Sequence, residues 1–169
     1  LNYIKGVFEI AKNKAGTWFG QKVEKDGFKF DSIKEYNFYE NFVKPSGLRF
    51  EVHKGFKLHP IIELQNGDLR LRSSIYTPDF VLYNKDGGMK HVIDIKSGFT
   101  QFAIDSAAAL RFKLFADKYK VPVEVIVPRV HDFRVKIMGT TKKFDPLIRE
   151  DLTYDTSELV KEAFSNLKD

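Results

Sequence analysis

Two short runs, Thr77-Pro78-Asp79-Phe80 and Val92-Ile93-Asp94-Ile95-Lys96, flank a turn at Asp86-Gly87-Gly88. A hairpin folded symmetrically about the Asp86–Gly87 peptide sets Asp79 opposite Asp94, with Cβ atoms about 4.5–5.5 Å apart, and projects Lys96 from the same face. The reverse face then shows Phe80, Leu82, Ile93 and Ile95, an apolar set suited to a core. Two carboxylates placed opposite one another repel unless a cation or a proton lies between them. Oxygen ligands without His or Cys point to a hard cation, Mg²⁺ or Mn²⁺. Water, a backbone carbonyl such as that of Ile95 and a substrate phosphate oxygen would complete its shell. The ammonium of Lys96 is then placed to orient or deprotonate an attacking water, or to stabilise charge growing on phosphorus. Pro-Asp is also a common turn dipeptide, and Asp-Ile-Lys a common end to a solvated strand. It is their matched register over an apolar reverse face that favours chemistry.

The elements that must position these groups are legible from punctuation. Val23 to Phe30 alternates around Asp26-Gly27, a hairpin signal. Ser32 with Glu35 forms a capping-box pattern that opens a helix running to Lys44 and stopped by Pro45. Glu35 shares a face with Phe38, Tyr39 and Phe42, so it is open to two readings, the acid of a capping box or a third ligand for the metal or its water. Leu58–Gln65 and Leu69–Tyr76 read as strands joined at Asn66-Gly67, followed by the strands Phe80–Tyr83 and Met89–Ile95. Gln101–Tyr119 has helical composition, and Pro122 introduces a buried strand at 123–127. The chain from 89 to 127 is long enough for a crossover that makes its two strands parallel, giving a mixed α/β sheet. A helix is expected around 3–15, and another over Thr153–Leu167 with Thr156 as its cap.

With 169 residues the chain is expected to be one domain, with a core over about 22–128 and an extension at 139–169 packed on it. Hydrophobic residues make up 43% and the rings include 16 Phe, which excludes a disordered polymer. The absence of cysteine excludes disulfides, thiolate-held metals and thiol catalysis. No run is long enough to span a membrane, and charges break the apolar start too early for a signal peptide, so a cytoplasmic location is expected. No glycine-rich phosphate loop is present, which leaves no nucleotide cofactor, and Ser73-Ser74 lacks the context of a serine nucleophile. His53, His59, His91 and His131 show no ligand spacing and are read as structural. The net charge is +5, and the last 28 residues hold 5 basic against 7 acidic side chains, so the positive excess lies in the body. A polyanionic partner suits such a body. Arg111 and Lys118, spaced with Phe115 at i, i+4 and i+7, together with Arg70, Arg72, Lys90 and Lys113, are the candidates for phosphate contacts. Taken singly, each also reads as a solvated surface charge.

Pro78-Asp79 followed by Asp94-Ile95-Lys96 resembles the PD-(D/E)XK nuclease superfamily, and the helix-then-strands order resembles its αβββαβ core, the restriction-endonuclease-like arrangement of a mixed central sheet flanked by helices. More narrowly, three blocks resemble a phage-type endonuclease family related to Holliday-junction resolvases. They are Asp26-Gly27-Phe28-Lys29-Phe30-Asp31-Ser32-Ile33-Lys34-Glu35 with Tyr39, then Tyr76-Thr77-Pro78-Asp79-Phe80, then Val92-Ile93-Asp94-Ile95-Lys96-Ser97-Gly98. The similarity runs from about residue 22 to 120. It implies metal-dependent hydrolysis of a DNA phosphodiester, with Asp79 and Asp94 as ligands, Lys96 as the catalytic lysine and Glu35 as the acid from the first helix. Gln101 falls where some relatives carry a substrate- or water-contacting Gln on the following helix, although the tyrosine that completes that motif is missing here. The resemblance further implies branched or junction DNA as substrate, a homodimer that cuts two strands, and a bacterial host cytoplasm if the protein is phage-encoded. Other readings within the same fold are a restriction-like or transposon-end endonuclease, and an inactive nucleic-acid-binding module.

Overall fold

In the computed structural model, which describes residues 21–165, the chain begins with a small hairpin of β1 (Val23–Lys25) and β2 (Phe28–Phe30). Asp26 and Gly27 at its turn both have positive φ, the conformation that an Asp-Gly pair accepts at little cost. The expected helix at 3–15 lies outside the described residues. Next comes α1 (Ile33–Phe38), whose cap Ser32 accepts the Glu35 N–H at 3.2 Å. The helical path does not stop at Lys44. It widens to a π turn over Tyr39–Val43, tightens to a 3₁₀ turn over Lys44–Ser46 and ends at Gly47 in the left-handed region. Pro45 lies in the first turn of the 3₁₀ segment, where its missing N–H and fixed φ are tolerated, so the glycine and not the proline terminates the run.

β3 (Arg49–Val52) leads into an arm made of β4 (Phe56–His59), β5 (Ile62–Leu64), β6 (Leu69–Leu71) and β7 (Ser74–Tyr76). The two long strands expected here are each divided. β4 pairs β7 and β5 pairs β6 in separate ladders, because Pro60 cannot donate to a ladder and the register shifts between Lys57 and His59. In the outer ladder Ile62, Leu64, Leu69 and Leu71 share one exposed face, while Glu63 and Arg70 pair on the other.

After the arm come β8 (Phe80–Tyr83), β9 (Met89–Ile95), α2 (Ser106–Tyr119), β10 (Glu124–Pro128), β11 (Phe133–Lys136), β12 (Leu147–Arg149) and α3 (Thr156–Ser165). The central sheet is mixed, in the order β12-β11-β10-β9-β8-β3, and β10 runs parallel to β9 as a strand–helix–strand unit requires. β3, β11 and β12 were not expected. The fold is therefore α/β, with a core on each face of the sheet. On one face Phe80, Leu82, Ile93 and Ile95 pack with Phe30, Phe38 and Phe42 of the α1 side. On the other, Val81, Val92 and Val125 pack with Phe112 and Phe115 of α2. α2 starts at Ser106 because Asp105 caps it, its Oδ1 accepting the Ala108 N–H at 2.6 Å. Residues 101–104, expected to be helical, are loop.

The C-terminal part is tied to the sheet. Asp155, not Thr156, takes the N-cap position of α3, and its N–H donates to the Glu158 carboxylate three residues on. Thr156 instead donates to the buried Glu124 at 2.8 Å, and the Tyr154 hydroxyl donates to the other Glu124 oxygen at 2.5 Å. His91 Nδ1 lies 2.9 Å from the same carboxylate, and its Nε2 lies 3.2 Å from the Leu152 carbonyl.

Candidate active site

The hairpin holds the register that its apolar face demands. Phe80 pairs Ile93, Val81 pairs Val92 and Leu82 pairs His91, which sets Asp79, immediately before β8, opposite Asp94 on β9. A register shift does occur between Leu82 and Tyr83, but it lies towards the turn and leaves the acidic end undisturbed. Asp79 Oδ2 accepts the Ile95 N–H at 2.5 Å. Asp94 is buried; its Oδ2 accepts the Tyr76 hydroxyl at 2.9 Å, and its Oδ1 forms an ion pair with Lys96. That Oδ1 receives no directed hydrogen bond, so one lone-pair direction of a buried carboxylate is left open.

Glu35 reaches the same end of the sheet from the α1 side. It is buried, and it performs the capping role: Oε1 accepts the Ser32 hydroxyl at 3.0 Å and Oε2 the Asp31 N–H at 2.9 Å. Its second role runs through His53. The His53 Nε2 lies 3.3 Å from Glu35 Oε2 and 3.8 Å from Asp79 Oδ1, so the ring stands between the two acids. His53 was read as structural, and the structure brings it into the cluster. The β3·β8 ladder pairs Val52 with Phe80 and thereby sets His53 opposite Asp79, whose carbonyl accepts the His53 N–H at 3.1 Å. Recognising β3 would have exposed this neighbour. Asp31, Glu35 and His53 also form a group whose ligand atoms lie within 4.8 Å of one another.

The electrostatics follow from crowding. Burial, then Asp94 and Glu35, push the Asp79 carboxyl well above the ordinary aspartate range, against the opposing pull of the Ile95 N–H and Lys96. The hydrogen bond to Glu35 and the charge of Asp79 raise the His53 imidazole against a smaller burial penalty. Three acids against one lysine and one imidazole are a donor set that suits a hard divalent cation, and the buried Asp94 Oδ1, which faces the Lys96 ammonium without a directed hydrogen bond, is one of its oxygens. Without such a cation the crowding opposes folding. The folded state holds the Asp79 proton more tightly than the unfolded chain, so stability is full below the ordinary aspartate value and falls as pH rises through the raised one. Asp79→Asn keeps an oxygen for the Ile95 N–H and removes the charge. At pH 7 in EDTA it is expected to melt roughly 2–4 °C higher, the shift that about 1 kcal/mol gives in a domain of this size. A lower melting temperature would contradict the crowding.

The other sequence-derived candidates scatter. Gln101 is exposed in the loop, five residues before α2, and no contact joins it to the acids. Arg111, exposed on α2, is close enough to lower the Tyr76 hydroxyl's otherwise raised pKa, which places its charge near the Tyr76–Asp94 pair. The neighbouring Phe115 is wholly buried, so no continuous strip joins Arg111 to Lys118. Lys118 donates to the Lys57 carbonyl at 2.8 Å, and the Lys113 stem lies against Gly139. Lys90 stands at the opposite end of β9, donating to the Thr153 carbonyl at 2.9 Å and pairing with Asp155, so it fastens the C-terminal segment. Arg70 pairs Glu63 on the arm, and Arg72 is exposed beyond it.

Fold and site together define an α/β protein with an acidic cluster and one lysine at the end of the central hairpin of a mixed sheet. The chain belongs to the family described as "Protein of unknown function (DUF1064)", whose model matches residues 16–131, a span that holds Glu35, His53, Asp79, Asp94 and Lys96. No curated protein and no solved structure matches it. Among the described residues no helix is long and apolar enough to cross a membrane.

Proposed function

We propose that the protein is a divalent-metal-dependent DNA endonuclease of the PD-(D/E)XK type, acting on branched DNA. The observation that carries this reading is the pair of carboxylates, Asp79 and Asp94, in register on neighbouring strands beside Lys96. The order α1, β3, β8, β9, α2, β10, with the arm inserted after β3, is compatible with an αβββαβ core and supports the reading. The residues that would hold Mg²⁺ or Mn²⁺ are Asp79, Asp94 and the Ile95 carbonyl, with Glu35 beside them. Such an ion would supply Lewis acidity at the scissile phosphate. Tyr76 and Lys96 fix the Asp94 carboxylate through its two oxygens. Lys96, half-exposed at the mouth of the cluster, orients the attacking water or stabilises charge on the phosphate oxygens. His53 holds Glu35 and Asp79 at a fixed separation. Cutting both strands of a junction calls for two such sites, hence a homodimer.

The test is incubation with a labelled four-way junction, linear duplex and single strand in Mg²⁺, Mn²⁺ or EDTA. Paired junction nicks that disappear in EDTA are expected. Cleavage of plain duplex at fixed sequences would replace the branched-DNA reading with a restriction-like one. Tight binding without cutting in either metal would end the enzyme reading.

A further inference from the structure

The loop between β9 and α2 leaves the site directly after Lys96 and carries a side chain that folding does not account for. Phe102 is 95% exposed, against 76% for the next most exposed large apolar side chain among the described residues, Val130. Its outward position is built in. Phe99, Ala103 and Ile104 pack on the α2-side core, and the N–H groups of Ala103 and Ile104 both donate to the Thr100 carbonyl, closing a turn with Phe102 on its outer side. Ala103 Cβ comes within 3.9 Å of where a Cβ on Gly98 would stand, so the turn folds back to two residues from Lys96.

A second, independent feature borders the same loop. Ile95 pairs Ile126, and the Lys96 N–H donates to the Ile126 carbonyl, which aligns Lys96 with Val127; Val127 in turn pairs Arg134 on β11. Residues in one row of a sheet share a face, so Arg134 lies two strands from Lys96, about 10 Å away, on the α2 side. Its guanidinium stands 5.5 Å over the Phe99 ring. The Arg134 Nε is buried without a hydrogen-bond partner, and among the described residues no carboxylate lies within ion-pair distance of the group. A half-buried guanidinium lacking an acid is a site for an anion of forked geometry, such as a phosphate.

We propose that Arg134 receives a backbone phosphate next to the one cut and that Phe102 stacks on an unpaired base, so that the substrate is DNA with a single-stranded nucleotide beside the scissile bond. This rests on the nuclease reading and narrows its substrate. A phenyl ring has no stacking partner in an intact duplex, where every base face is covered, whereas an unpaired base offers its face regardless of sequence.

The test measures binding in EDTA, where no cutting occurs, with two probes carrying 2-aminopurine, one in a single-stranded flap and one in a continuous duplex. The full chain is expected to quench the flap probe. Phe102→Ala weakens flap binding about tenfold and leaves duplex binding within twofold, and Phe102→Trp restores it with quenching of the new indole. Arg134→Gln weakens binding and lowers the salt slope of log K by about one. Equal effects of Phe102→Ala on flap and duplex, or none on either, would overturn the stacking role; an unchanged salt slope in Arg134→Gln would overturn the phosphate contact. Because Phe102 is exposed, its replacement does not endanger the fold. Failure of the nuclease reading would show separately, as no cleavage in Mg²⁺ or Mn²⁺ while these binding differences persist.

Discussion

Asp94→Asn is expected to leave the protein folded and to lower Mg²⁺-dependent cleavage by about 10³-fold, read as the initial rate of nicking on the best-cut substrate. Asparagine matches aspartate in volume, and its amide oxygen still accepts the Tyr76 hydroxyl that the carboxylate accepts at 2.9 Å. What disappears is the charge facing Lys96 and the anionic oxygen available to a cation. One correctly placed electrostatic group is worth about 10²–10³ in rate, and under the proposed nuclease function Asp94 would serve twice, as a metal ligand and through its ion pair with Lys96. Asp94→Ala is the poorer probe, since it strands the buried Tyr76 hydroxyl at a cost of about 1–3 kcal/mol and mixes lost stability with lost activity. Tyr76→Phe separates the two: the carboxylate and its charge remain while one hydrogen bond goes, and a rate loss of roughly tenfold is expected. Wild-type cleavage by Asp94→Asn would remove the site from the chemistry.

The legible parts of this fold are those in which one physical rule dominates. The β8–β9 register is fixed because a one-residue slip would turn Phe80, Leu82, Ile93 and Ile95 out of the core, and that requirement placed Asp79 opposite Asp94 although the turn itself is irregular. The β1–β2 hairpin was equally plain in its Asp-Gly turn. Where several weak signals compete, the sequence was ambiguous. Arg49–Val52 and Phe133–Lys136 are four residues each with polar members, too short for periodicity to separate them from loop, and missing the first hid His53. The start of α2 depends on which polar residue caps it, and Asp105 prevailed over a helical-looking Gln101. The basic residues were the least legible. Long flexible side chains such as Lys90 and Lys118 reach backbone carbonyls that only the tertiary fold supplies, while Arg134, on a strand that the pattern does not reveal, keeps a buried Nε without a hydrogen-bond partner.

Glu124→Ala is expected to cost about 3–5 kcal/mol of unfolding free energy, read as a fall in the denaturant midpoint at pH 7, because it removes the shared acceptor of a closed buried network. His91 and Glu124 are wholly buried, and the carboxylate binds His91, Thr156 and Tyr154 at 2.9, 2.8 and 2.5 Å. All three lose a partner at once, and two of them lie in the segment that attaches α3 to the sheet. Tyr154→Phe removes one bond to a charged acceptor and is expected to cost about 1.5–3 kcal/mol at pH 7. Its pH dependence gives a second reading of the same contact. Burial, followed by the Glu124 charge, holds the Tyr154 phenol well above the ordinary tyrosine value, so the folded state keeps a proton that the unfolded chain releases first. The stabilisation is complete below about pH 10 and declines as pH rises beyond it. The Phe variant has no such proton, so its stability falls less steeply above pH 10 and the gap from wild type narrows. Parallel curves across that range would mean that neither burial nor Glu124 shifts the Tyr154 phenol, and a Glu124→Ala variant within about 1 kcal/mol of wild type would mean that the network contributes little net stability and that other contacts hold the C-terminal segment.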